Sequence, residues 1–256
     1  MKTYITAFLG FAFTLLITQP VSAEDALNND WQLSGAIYFW LPDIKGETDG
    51  DDVKITLNNI LKHLDFMYMG AFGAKKGNWS FLTDVIYMDL EDGSDMTLIR
   101  DKVIQLDVTK IQLQAWVATP MVAYDVLHTD RLDVKLLLGA RYLWLEGDLD
   151  LKAQGASINQ KTSETFSNHA WNGIIGTRGQ YELNEKWTMP FHFDVGSGDS
   201  DKTWQAYIGL MYKTGKWEIG GGYRYLKWDF DDDDAFGKAF KNLSINGPMF
   251  GAKYRF

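Results

Sequence analysis

His192 and Asp194 stand two residues apart on one face of an extended segment, and an imidazole beside a carboxylate can take a proton from water or a hydroxyl. Asp84 supplies a further carboxylate on the corresponding face of its own segment. No Asp-x-Asp shares that interior, and no His-x-Ser accompanies the pair. The chain has no cysteine, which excludes a thiolate metal site and a disulfide scaffold. The other acids gather elsewhere: Glu47, Asp49, Asp51 and Asp52; Glu91, Asp92 and Asp95; Asp199 and Asp201; Asp229 and residues 231–234. Carboxylates at that density can hold divalent cations, but they lack the fixed spacing of an EF-hand. They read first as a solvated acidic rim, with divalent cations as the alternative.

The elements that carry these groups have a period of two. In 131–146, Leu132, Val134, Leu136, Leu138, Ala140, Tyr142 and Trp144 share one parity, while Asp133, Lys135 and Arg141 take the other. Trp187, Met189, Phe191, Phe193 and Val195 likewise oppose Thr188, His192 and Asp194. Such alternation marks strands with one apolar and one polar face. Ten strands follow, at 30–42, 64–76, 79–90, 103–125, 131–148, 168–183, 187–196, 202–213, 216–230 and 243–256. Tight turns at 77–78, 128–130, 184–186 and 214–215 alternate with long polar stretches at 43–63, 91–102, 149–167 and 230–242, and with a shorter loop at 196–201. That is an up-and-down antiparallel meander with both termini on the short-turn side, eight or twelve strands being the alternatives to ten.

The chain has 256 residues, a formal charge of −9 and 14% aromatics. Its 46% hydrophobic content, with mean hydropathy −0.22, is too low for a multi-span helical protein and too high for general disorder. The acidity argues against a nucleic-acid partner. Residues 1–23 read as a secretory signal peptide: Lys2, an apolar run, Pro20, then Val21 and Ala23 at the −3 and −1 positions of a cleavage site. Residues 24–256 then form one domain.

Aromatic spacing indicates which solvent the apolar face meets. Trp31 and Phe39, Trp79 and Tyr87, Trp204 and Tyr212, and Trp217 and Tyr225 are each eight residues apart, and Trp171 and Tyr181 are ten apart. Eight residues at about 3.3 Å each, tilted by about 40°, rise roughly 20 Å, which brackets a lipid-facing band with aromatic belts at both rims. Trp144 and Trp187 join the belts. A transmembrane β-barrel is the fold that pairs every backbone group in such a band.

The last strand ends in alternation: Phe250, Ala252, Tyr254 and Phe256 oppose Gly251, Lys253 and Arg255. This ending resembles the signal by which bacterial outer-membrane barrels are read by the barrel-assembly machinery, with Tyr254 and Phe256 as its key residues. The stretches LDFMYMG at 64–70, GNWSFLTD at 77–84, DVGSGDSD at 194–201 and GYRYL at 222–226 are similar to a group of proteobacterial outer-membrane barrels related to opacity-type surface antigens. That resemblance implies outer-membrane location, contact with lipid and lipopolysaccharide, and no cofactor. It supplies no catalytic set.

Parity assigns a lumen charge network of Asp84, Lys110, Asp133, Lys135, Arg141, Arg178, Glu182, His192, Asp194, Glu218, Arg224, Lys253 and Arg255, accompanied by Gln112 and Gln114. Mixed signs in a ten-stranded lumen favour a paired, largely filled interior, since unpaired buried charge is expensive. A structural or surface-interaction role without enzymatic activity comes first. A narrow channel is the alternative, and a hydrolase or acyltransferase built on His192 and Asp194 the third reading. Ile55, Leu57, Ile60, Leu61 and Leu64 recur at near-helical spacing, as in a short amphipathic helix at the membrane edge or folded into the lumen.

Overall fold

A computed structural model describes residues 30–47, 52–55, 57–92, 96–99, 105–155, 158–231, 236 and 241–256. The segment 1–23 lies outside them, as do Asp49, Asp51, Asp95 and residues 232–234. In chain order the elements are β1 (Gln32–Trp40), β2 (Asp43–Glu47), β3 (Asp52–Ile55), α1 (Leu57–His63), β4 (Leu64–Lys76), β5 (Trp79–Asp92), β6 (Met96–Ile99), β7 (Gln105–His128), β8 (Leu132–Gly155), β9 (Ile158–Glu182), β10 (Trp187–Gly198), β11 (Lys202–Thr214), β12 (Trp217–Asp229) and β13 (Asn242–Arg255).

Ten of these strands close a barrel in the order β1, β4, β5, β7, β8, β9, β10, β11, β12, β13, all pairs antiparallel. Closure runs through β1 and β13, with Gly35 opposite Tyr254 and Phe39 opposite Phe250. No edge remains in the band, so every ladder group has a partner. The short turns sit where alternation stops; Gly77 and Gly215 take φ of 55° and 59°, which side-chain-bearing residues rarely adopt.

The long polar stretches differ from the sequence reading. Segments 43–63, 91–102 and 149–167 are not simply loops: β2 and β3 form a hairpin against β13, β6 pairs with β7, and β8 and β9 stay paired out to Gly155 and Ile158. Beyond the aromatic belt the outward face of a strand meets water instead of lipid, so the apolar–polar alternation that reveals a strand weakens while the ladder continues. The helix is present as α1. Its amide at Leu57 is capped by Asp43 at 3.1 Å, and its Ile60 packs into the barrel mouth while Leu61 stays exposed.

Outside, the barrel is apolar. Ile37 and Leu138 are each 63% exposed at mid-strand. At the short-turn rim Trp79 packs edge-on against Tyr124, Trp187 against Tyr212, and Trp217 against Tyr254, which also meets Phe256. At the long-loop rim Tyr87 packs on Trp116, Tyr142 on Trp171, and Trp204 stacks on Tyr225. Two aromatic belts flanking an apolar waist define a transmembrane β-barrel. Replacing Leu138 with Arg at the waist is expected to destabilise the barrel refolded in liposomes by about 2–4 kcal/mol. Arg at the rim position Leu127 should cost at most about 1 kcal/mol, both read by urea titration.

Candidate functional site

The lumen is layered along the barrel axis, and its middle layer is held by two guanidinium–carboxylate assemblies. In the first, Arg141 on β8 reaches past β9 to Asp194 on β10. Its Nη2 donates to both carboxylate oxygens at 2.8 and 2.7 Å, and its Nη1 donates to Thr203 Oγ1 at 3.0 Å. His192 Nε2 meets the same carboxylate at 2.6 Å. Arg141 and Asp194 are both wholly buried. The β9 residue opposite Asp194 is Gly176, where a Cβ would come within 2.7 Å of the Asp194 Cβ.

In the second assembly, Arg224 on β12 spans the lumen to Asp84 on β5. Its Nη2 donates to Asp84 Oδ1 at 2.8 Å, its Nε donates to Gln205 Oε1 at 3.0 Å, and its Nη1 donates to the Tyr38 oxygen at 3.1 Å. Tyr38 in turn donates to Asp84 Oδ2 at 2.7 Å, and the Trp40 ring lies 4.9 Å from the Arg224 Cζ. A guanidinium fork that meets carboxylate, amide, phenol and aromatic face at once is fully solvated by protein.

Toward the long loops the interior is apolar, which corrects the expectation of a polar packed lumen throughout. Trp40, Leu90, Leu143, Leu226 and Trp228 are almost fully buried there, joined by Ile60 from α1 and by the stacked rings of Phe230 and Phe236. Tyr38, Trp40 and Trp228, on the parity opposite Phe39 and Tyr225, are large aromatic side chains on the face expected to be polar. Ser200 in the loop after β10 seals one side of the same mouth by donating to Asn172 Oδ1 at 2.7 Å.

Toward the short turns the lumen widens into a charged vestibule. Lys213 pairs with Glu182 at 2.7 Å, Lys75 with Asp125 at 2.7 Å, and Lys253 with Glu218 at 3.6 Å. Lys135 also pairs with Asp125, Arg255 with Glu218, and Asp133 with His128. Asp84, Arg141, His192, Asp194 and Arg224 therefore meet in the middle layer, and Lys135, Glu182, Glu218, Lys253 and Arg255 line the vestibule.

Lys110 does not belong with them. On β7 the inward parity carries Leu113, Val117 and Thr119, all buried. Gln112 and Gln114 take the opposite parity, which Lys110 shares, and Gln114 donates to the outward Asp89 at 3.0 Å. The Lys110 side chain itself lies outside the described residues. These positions sit beyond the Trp116 belt, where polar side chains face outward into water and the rule that polar means inward inverts. Tyr38, Thr203, Gln205 and Tyr207 complete the layer and were missed. Their parity, opposite Phe39 and Trp204, was the available signal.

Chemically, Asp194 is saturated by Arg141 and His192, and it is the one hydrogen-bond partner of His192 among the described residues. No group of three or more potential metal ligands occurs among those residues. The acids that are described at the loops act locally: Glu47 accepts from Asn242 at 2.5 Å, Asp199 accepts from the Trp171 amide at 2.8 Å, and Asp229 pairs with Lys227 at 2.6 Å.

No family model matches the chain, and no curated protein matches it in sequence. Among solved structures it is similar to the outer membrane protease OmpT of Escherichia coli, at 10% identity over 91% of this chain and 99% of that one, with a TM-score of 0.47. It is also similar to Neisserial surface protein A, at 14% identity over 88% and 97% of the two chains, TM-score 0.34. A major outer membrane protein from Thermus thermophilus follows at 15% identity over 88% and 99%, TM-score 0.39. The likeness extends to the β-barrel and no further. The chain is a closed, ten-stranded antiparallel β-barrel.

Because Arg141 and Asp194 have no water to fall back on, Arg141→Ala is expected to lower stability by about 3–5 kcal/mol, the usual cost of leaving a buried charge alone. The Arg141→Ala/Asp194→Ala pair should recover part of that loss. A double-mutant cycle by denaturant titration of the refolded barrel measures both.

Proposed function

We propose that this protein works as a closed barrel in the bacterial outer membrane, acting at its long-loop rim as a structural or surface-interaction module akin to opacity-type antigens. The observation that carries the reading is that each of the ten barrel strands contributes an inward side chain less than a tenth exposed: Trp40, Met69, Leu90, Val117, Arg141, Asn172, Asp194, Thr203, Leu226 and Leu243. A water column must wet its own wall, and a ring of dry side chains around the full circumference leaves it none. The paired β8 and β9 strengthen the assignment to the rim. Gly155 lies eleven residues beyond Trp144, so the hairpin runs roughly 36 Å along the strand past the aromatic belt. That ladder holds a surface for contact well clear of lipopolysaccharide headgroups.

In this reading the chain is exported by the segment 1–23 and inserted by the barrel-assembly machinery, which reads Tyr254 and Phe256. The refolded mature protein, its fold verified by heat-modifiable gel mobility, is expected to be electrically silent in a planar bilayer. Discrete, reproducible conductance steps in the unmodified protein would replace this reading with that of a channel. Trimming the seal by Leu226→Ala/Trp228→Ala is expected to admit current that the parent protein does not pass.

A further inference from the structure

The charges of the middle layer do not balance. Three guanidiniums, those of Arg141, Arg178 and Arg224, share it with two carboxylates, Asp84 and Asp194. Asp194 is taken by Arg141 and His192, and Asp84 by Arg224 and Tyr38. In the vestibule Glu218 is taken by Lys253 and Arg255, and Glu182 by Lys213. Arg178, on the inward face of β9, is left with no hydrogen bond or ion pair among the described residues; Asp84 acts on it through its field alone. A guanidinium has five N–H donors, and a half-buried one with no protein acceptor can exchange water for the oxygens of a bound anion.

The surroundings of Arg178 fit such an anion. Its cross-strand neighbour is His192, whose own partner on β11 is Tyr207. The Tyr207 hydroxyl likewise has no hydrogen-bond partner among the described residues. Its ring lies flat over bare backbone: a Cβ on Gly222 would stand 2.6 Å from its Cε2, and one on Gly209 would overlap the hydroxyl. Gly220 and Gly251 continue that bare wall toward Lys253 and oppose one another across β12 and β13. Lys253 carries a charge within reach of Arg178 and is held only loosely by Glu218 at 3.6 Å. On the other side of Arg178 the wall is apolar, with Leu137 of β8 and Ile174 of β9 packed against Met121, Ala123 and Leu82. Exposure rises from the dry Asp194 through His192 to Lys253 at 35%, which places the opening at the short-turn mouth.

We propose that Arg178, Tyr207 and Lys253 form a binding site for a small soluble oxyanion, a phosphate or carboxylate group, entering from the short-turn end of the barrel. Guanidinium, ammonium and phenol are donors that such groups accept from, and the strand wall keeps lipid headgroups out. The site needs no passage through the barrel, so it stands whether or not the lumen conducts.

Isothermal titration of the refolded full barrel in uncharged detergent, at low salt, with inorganic phosphate and separately with sodium acetate tests it. One-site saturable binding of at least one anion is expected. Arg178→Gln should weaken it at least tenfold, and Tyr207→Phe or Gly209→Ala severalfold. Lys216→Gln, on a turn outside the recess, should leave it unchanged. Heat-modifiable mobility verifies the fold of each variant. If Arg178→Gln does not fold, Arg178→Lys and Tyr207→Phe decide, each expected to bind more weakly than the parent. Absence of saturable binding by both anions, or affinity unaltered in every folded recess variant, overturns the proposal.

Discussion

A ten-stranded lumen has room for side chains but not for their hydration shells, and the rest of this molecule follows from that shortage of water. Backbone groups are satisfied by closure, through β1 against β13. Side-chain charges have no such automatic solution. Each one placed at mid-height must find a counter-charge on another strand, and a neighbour on the adjacent strand is often in the wrong place. Arg141 therefore passes over β9 to Asp194, and Arg224 crosses to Asp84. Arg141 starts opposite Asn172 and Asp194 stands opposite Gly176, so the connection runs diagonally across β9.

The same shortage explains why polarity varies along the axis rather than around it. At the long-loop end the strands run into water on both faces, so a polar lumen there would join the solvent and empty the barrel. Trp40, Leu226, Trp228 and Ile60 deny water that entrance. At the short-turn end, with its small turns, nothing prevents solvent from entering, and ion pairs such as Lys213 with Glu182 remain partly wet and individually weak. The guanidinium layer lies at the boundary, dry from one side and approached by solvent from the other. That boundary is where an unpaired Arg178 can persist: shielded enough to hold its geometry, open enough for a small anion to arrive.

How much of this was legible in the sequence depended on which solvent a strand face met. Between the aromatic belts the two faces see lipid and lumen, the alternation is strong, and eight of the ten strands lie within three residues of their expected ends. Beyond Trp116 and Trp144 the outward face sees water instead of lipid, so Gln112 and Gln114 read as inward although they face out, and the continued pairing of β8 and β9, seven and ten residues past the expected ends, has no matching signal. Parity also shows which side of a strand a residue occupies and not what it meets there. The parity of Tyr38 and Trp40, opposite Phe39, places their rings in the lumen, and the three-dimensional neighbours Arg224 and Asp84 show what they meet there.

His192 and Asp194 illustrate the limit most clearly. Two residues apart on a strand, they carry the minimum pattern for proton transfer, and the geometry does bring imidazole and carboxylate to 2.6 Å. What the pattern omits is the third party. A carboxylate that orients a catalytic imidazole leaves the ring free to meet a nucleophile on its far side. Here the carboxylate is already neutralised by the fork of Arg141, and the ring's lumen neighbours are Arg178 and Tyr207, a cation and a phenol. The pair therefore belongs to the same layer as Arg141 and Arg178, with Asp194 tying His192 to the Arg141 guanidinium.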